Sequence, residues 1–143
     1  MCRKALDLDP TNVLAQFMIG WVDIEAGKFS DAIPELQKAV ATKAPSYVSG
    51  YLGYAYGASG DPTHATAEVE ELNKRALHGY VAPFNLAIIY LGLGDRERAL
   101  NKLEQAYAAH SELCGLLKMD RMFDSLRSDP RFIALLKKLN FER

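Results

Sequence analysis

The side chains suited to metal or acid–base chemistry in this 143-residue chain are three histidines, two cysteines and a set of scattered carboxylates. His64 and Glu68 stand four residues apart, as do His110 and Cys114, so on a helix each pair shares one face and offers a metal two ligands. Zinc normally takes at least three ligands from protein, so neither pair makes a site, and each histidine reads as a surface or helix-end residue. No serine or cysteine stands in a strand-to-helix elbow of the kind that exposes a nucleophile. Gly92 and Gly94 form a G-x-G without a preceding strand, which fits a helix-ending turn better than a phosphate cradle. The carboxylates alternate with basic residues at helix-surface spacings. These residues predict no enzyme, no metal and no cofactor, and they leave the aromatic side chains as the candidates for recognition.

The elements that would carry those aromatics repeat. Gly27, Gly60 and Gly94 lie 33 and then 34 residues apart, and Ala32, Ala65 and Ala99 keep the same register, as do Leu36, Val69 and Leu103. Gly20, Gly53 and Ala87 place a small residue seven positions before each turn glycine, where two helices can approach closely. Two helices per period of this length mark an α-solenoid, in which stacking of neighbours creates the core. Within the first unit, residues 13–26 form a helix with Leu14, Phe17, Trp21 and Ile24 on one face, and Gly27 ends it. Ser30 is the expected N-cap of a helix over 31–43, with Pro34 in its first turn. The second unit opens with a helix that combines four tyrosines and four glycines over residues 46–60, and Asp61 with Pro62 starts its partner. Asp95 caps the second helix of the third unit.

The chain resembles a tetratricopeptide-repeat (TPR) array. The third unit matches that pattern through Leu86, Ala87, Tyr90, Ala99, Leu103 and Ala106, and the second through Leu52, Gly53, Tyr56, Ala65 and Val69. The first supplies Ile19, Gly20, Ala32, Leu36 and Ala39 but has Asp23 in the tyrosine slot, while Gln16, Ser49 and Pro83 hold the tryptophan slot. The resemblance implies an all-α fold, a right-handed α-solenoid of three helix hairpins. Residues 1–110 would be the array, with 1–12 the remnant of a preceding repeat and repeats over 13–45, 46–79 and 80–110. Residues 111–143 would be a C-terminal helical cap, and the chain the C-terminal part of a longer protein. In that cap Phe123, Asp124, Leu126, Arg127, Asp129, Pro130 and Phe132 resemble the ending of many bacterial TPR proteins, some fused to winged-helix regulators, nucleotide cyclases or kinases. Read from the residues, Asp129 caps a helix opened by Pro130, and Phe132, Ile133, Leu135, Leu136 and Leu139 give it an apolar face suited to covering the last repeat.

The resemblance also implies that the first helix of each unit lines a concave wall. That wall would carry Phe17, Trp21, Ile24, Tyr47, Tyr51, Tyr54, Phe84, Asn85 and Ile88, aromatic and nearly uncharged. TPR grooves that hold a terminal carboxylate use lysines, arginines and asparagines there, and only Asn85 has that character. The expected ligand is an apolar or amphipathic helix, or an extended segment inserting large side chains. The same spacing also suits helices that merely pack on one another, so both readings stand. The expected role is a non-catalytic scaffold that binds a protein or peptide. The alternative is a regulatory or self-associating module at the C-terminus of a bacterial signalling protein or transcriptional regulator, in which the chain forms a homo-oligomer.

Composition narrows the partners. A formal charge of −1 gives no general cationic face for nucleic acid, and the seven Lys or Arg against four Asp or Glu over residues 118–143 read as a solvated rim. No run approaches the roughly 20 apolar residues of a membrane span, and the N-terminus lacks a signal-peptide core. Two distant cysteines fit a reducing compartment, so a cytoplasmic location is expected. At 49% hydrophobic content the chain can fill a continuous core.

Overall fold

The computed structural model describes residues 12–42, 45–109, 117 and 120–141. Among them the chain is helical, without strands, and no helix is long and apolar enough to cross a membrane. The helices are α1 (Val13–Glu25), α2 (Phe29–Ala41), α3 (Ser46–Ala58), α4 (Pro62–Ala76), α5 (Pro83–Gly92), α6 (Arg96–Ala108), a 3-10 helix (Arg121–Leu126) and α7 (Pro130–Phe141). Three successive pairs pack internally, α1 on α2, α3 on α4 and α5 on α6, and each pair's second helix touches the first helix of the next pair.

The repeat is visible in the backbone. Gly27, Gly60 and Gly94 adopt φ of +76°, +93° and +80°, a region that side chains with a Cβ disfavour. Around each, the same two bonds close the helix. Lys28 N–H donates to Asp23 C=O, Asp61 to Tyr56 and Asp95 to Tyr90, while the glycine N–H donates three residues back. This is a Schellman-type ending that satisfies carbonyls the helix would otherwise orphan.

Beyond the turn the units differ in how the next helix is capped. Asp61 and Asp95 cap α4 and α6, their side chains accepting from the backbone N–H of His64 and Arg98. The same two basic side chains lie against the ring of the preceding helix. His64 stacks on Tyr56 with centroids 5.0 Å apart, and Arg98 lies 5.7 Å over Tyr90. In the first unit the corresponding positions are Lys28, Asp31 and Asp23. Lys28 therefore occupies the N-cap without a side-chain bond, and α2 begins at Phe29 rather than after Ser30. Pro34 consequently sits inside the helix rather than in its first turn, and the opening turn hangs on Lys28 C=O, which accepts from both Asp31 and Ala32. Register across the repeat, and not the nearest capping residue type, decides where this helix starts.

Leu14 also departs from expectation. It is 64% exposed, and Val22, two turns on, is 56% exposed, because α2 and α3 cover the other side of α1, where Ala15, Ile19 and Ile24 are buried. In α7, Phe132 and Leu135 are buried and Leu136 and Leu139 half-buried, with Ile133 left 40% exposed. This helix packs against α6, and Arg131 ties it there through Glu104 and Asn101.

The closest crossing is α3 over α5. A Cβ added at Gly53 would lie 2.6 Å from Ile89 Cγ1, one at Gly57 2.6 Å from the Gly92 carbonyl carbon, and one at Gly92 2.6 Å from Tyr54 O. The glycines that weaken α3 as a helix, by about 1 kcal/mol each against alanine, are what let the two backbones touch. Gly20, in register with Gly53, meets Leu36 of its own pair instead.

The crossing and the uncapped helix can both be tested by unfolding. Gly57→Ala places a methyl against backbone that cannot rotate away, so urea unfolding should show a net loss of about 1–3 kcal/mol despite the better helix former. Gly79→Ala, which meets open space, should change stability by less than about 0.5 kcal/mol. Lys28 already has φ −93° and ψ 64°, close to the −87° and 82° of Asp95. Lys28→Asp should therefore complete the cap and raise unfolding stability by about 1 kcal/mol, and an unchanged urea midpoint would show that the position does not act as a cap.

Candidate functional site

The aromatic wall is built by α1, α3 and α5, and the structure divides its nine expected residues. Phe17, Trp21, Tyr47 and Tyr54 are half-buried and keep open surface. Ile24 and Tyr51 are each 5% exposed, Asn85 is 2% exposed, and Phe84 and Ile88 are fully buried. The wall is thus partly open along α1 and α3 and closed along α5. The cause is composition: α5, PFNLAIIYLG, is apolar on nearly every side, and such a helix is stable only when enclosed. Asn85 does not serve as a groove donor. Its Nδ2 donates to Ser46 Oγ at 3.2 Å, tying α5 to the start of α3.

Three of the four open rings, Phe17, Tyr47 and Tyr54, sit edge-on against another ring. Phe17 meets Tyr47 and Tyr51 edge-on, with centroids 5.0 and 5.3 Å apart, and Phe29 meets Tyr54 at 6.0 Å. Edge-to-face pairs add about 0.5–1.5 kcal/mol each beyond their buried area. The indole N–H of Trp21 is buried without a protein acceptor.

Over this wall lies a segment of the chain itself. Phe123 of the 3-10 helix is fully buried, its ring 5.9 Å from Phe84 and 6.2 Å from Phe132, so it links α5 to α7. Asp120 caps the 3-10 helix by accepting from Met122 N–H through Oδ1. Arg127 fastens the segment from behind, its guanidinium donating to Asp124 Oδ1, Leu117 C=O and Asp120 C=O.

Glu25, at the end of α1, faces Asp120 within hydrogen-bonding reach. Glu25 Oε1 and Asp120 Oδ2 are both buried, and neither accepts a hydrogen bond from the rest of the protein. Burial, then the hydrogen bond and the negative charge of Asp120, push the Glu25 carboxyl up to about 7, with Asp124 adding to the effect and Arg121 opposing it. A carboxyl raised this far keeps its proton to near neutral pH and can donate it to Asp120. The phenols beside them respond in the same sense. Tyr51 and Tyr54 are raised above the usual phenol range, first by burial and then by the charges of Asp120 and Glu25, and so both stay neutral hydroxyls.

Sequence reasoning missed both carboxyls. For Glu25 a signal exists, since it stands four residues after Trp21 and eight after Phe17 on the same helical stripe. Asp120 offers none beyond being an acidic residue before a short apolar run. A raised carboxyl is acid–base chemistry in principle, and of this pair Glu25 Oε1 and Asp120 Oδ2 are enclosed by protein.

The two candidate metal pairs resolve differently. His64 Nδ1 lies 2.6 Å from Asp61 Oδ2, and Glu68 is half-buried, its carboxyl raised by burial and by Glu71. Among the described residues no group of three or more His, Cys, Asp or Glu is placed to hold a metal. His110 and Cys114 lie outside the described residues. Away from the wall, an open cleft of about 510 Å³ between the start of α3, the end of α4 and the loop that follows it is lined by charges of both signs, Glu71 with Lys74 and Arg75.

No protein-family model matches this chain, and neither a curated relative nor a solved structure does.

Proposed function

We propose that this chain is a TPR-type array, its stacked pairs continuing as a right-handed α-solenoid, and that it acts as a non-catalytic scaffold holding a protein segment against α1 and α3. The observation that carries this reading is the row of half-open aromatic rings, Phe17, Trp21, Tyr47 and Tyr54, on consecutive first helices. Rings already fixed by their neighbours lose little entropy on binding, and Trp and Tyr dominate the energetics of contact surfaces. The recurrence of one turn geometry at Gly27, Gly60 and Gly94 supports the repeat family. The partner chemistry it favours is an apolar or amphipathic segment, since the open rings are uncharged and supply no clamp for a terminal carboxylate. On this reading the segment contacts neither nucleic acid nor membrane.

The test is selection of displayed peptides on the wild-type chain, followed by fluorescence anisotropy with Trp21→Ala/Tyr54→Ala. Selected peptides should bind the double variant at least about tenfold weaker, a loss of about 1.4 kcal/mol, while its helical circular dichroism is retained. Equal affinity for both proteins would remove the wall as the binding surface.

A second reading, self-association within a bacterial regulator, is favoured by the exposed Leu14 and Val22 on the outer side of α1. Light scattering over a concentration series should then show dimers that Leu14→Glu/Val22→Glu converts to monomers. A wild-type chain that is monomeric throughout would exclude it.

A further inference from the structure

We propose that residues 120–126 form a proton-controlled plug on the inner wall, held down while the Glu25 carboxyl, set against Asp120, carries a proton and loosened when it ionises. The geometry gives the segment two unlike attachments. One is apolar, with Phe123 enclosed between Phe84 and Phe132. The other is polar: Glu25 Oε1 and Asp120 Oδ2 are both enclosed and neither has a donor from the rest of the protein, and the Glu25 carboxyl lies within hydrogen-bonding reach of Asp120. With one proton, the pair is a hydrogen bond that joins α1 to the plug. Without it, two negative charges confront one another in a space of low polarity, and like charges at that range repel strongly.

The surrounding groups fix the sign. From α1 comes Glu25 itself; from α3 come Tyr51 and Tyr54, which stay neutral, with Tyr47 beside Tyr51. The plug contributes Asp124, which adds to the negative charge, and Arg121, which offsets part of it. From α5, Phe84 packs on Phe123 of the plug and brings no charge. The docked Glu25 carboxyl is raised from 4.5 to about 7, so the docked state holds the proton more tightly than the released state does. Docking is then strongest below the released value, weakens as pH climbs from about 4.5, and loses the full contribution above about 7. A tenfold gain in proton affinity on docking is a tenfold change in the docking equilibrium, and Glu25 is half-buried, so solvent screens part of it. About tenfold between pH 5.5 and pH 8 is the expected size.

The plug needs no partner to exist. If the wall also binds a segment as proposed above, the plug is that segment's competitor, and the two ideas fail on separate measurements.

Amide hydrogen exchange on the full chain, corrected for intrinsic rates, reads the plug directly. Protection of the Met122 and Phe123 amides should fall about tenfold from pH 5.5 to pH 8 while amides of α6 hold steady. In Glu25→Gln the neutral amide donates to Asp120, so protection should stay high across the range. Asp120→Asn keeps a capping side chain and removes the same charge, so it should give the same flat profile. Constant protection in the wild type, or a fall that persists in both variants, would overturn the proposal.

Discussion

The contact on which the rest of this structure depends is the crossing of α3 over α5, where Gly50, Gly57 and Gly92 leave no Cβ between two backbones and Gly53 leaves room for the Ile89 side chain. A helix as rich in glycine as α3 gains little from its own propensity and exists because packing holds it. The closeness fixes α5 at the centre of the molecule, enclosed by α3, α4 and α6. With α5 fixed, Phe84 presents its ring to Phe123, and the C-terminal segment acquires its seat. One run of small residues thereby positions an element about 60 residues further along the chain.

The neighbouring interface shows what happens when large side chains replace small ones. Between α1 and α3, Phe17 stands against Tyr47 and Tyr51, and the rings hold the helix axes apart. The spacing leaves Trp21 and Tyr54 with open faces and makes room for Asp120 to approach Glu25. Side-chain size at the crossings therefore sets which part of the wall is core and which part is surface.

Much of this was legible in the sequence, and the limit has a physical form. The turn glycines, the caps at Asp61, Asp95 and Asp129 and the boundaries of the helix pairs are local, encoded within a few residues of where they act. Even the departure at Lys28 was present in the register, since the position aligned with Asp61 and Asp95 holds a residue that cannot accept a bond. Distance in space could not be read. Phe84 and Ile88 have the same spacing as the half-open Phe17 and Trp21, and it is the close approach of α3 to α5, with Phe123 set against Phe84, that makes the former core. Glu25 and Asp120 lie 95 positions apart, and no periodicity links them.

The unequal crossings also imply an order of coming apart. In stacked helical proteins each pair leans on its neighbours, so local opening starts where the shared interface is thinnest. Here the α3–α5 seam is tight, while the α1–α2 pair meets the second pair mainly through α2 on α3, α1 adding only a few aromatic edges. The α1–α2 pair is thus the natural first foldon to detach, taking half of the Glu25–Asp120 contact with it while the glycine seam keeps the C-terminal part folded.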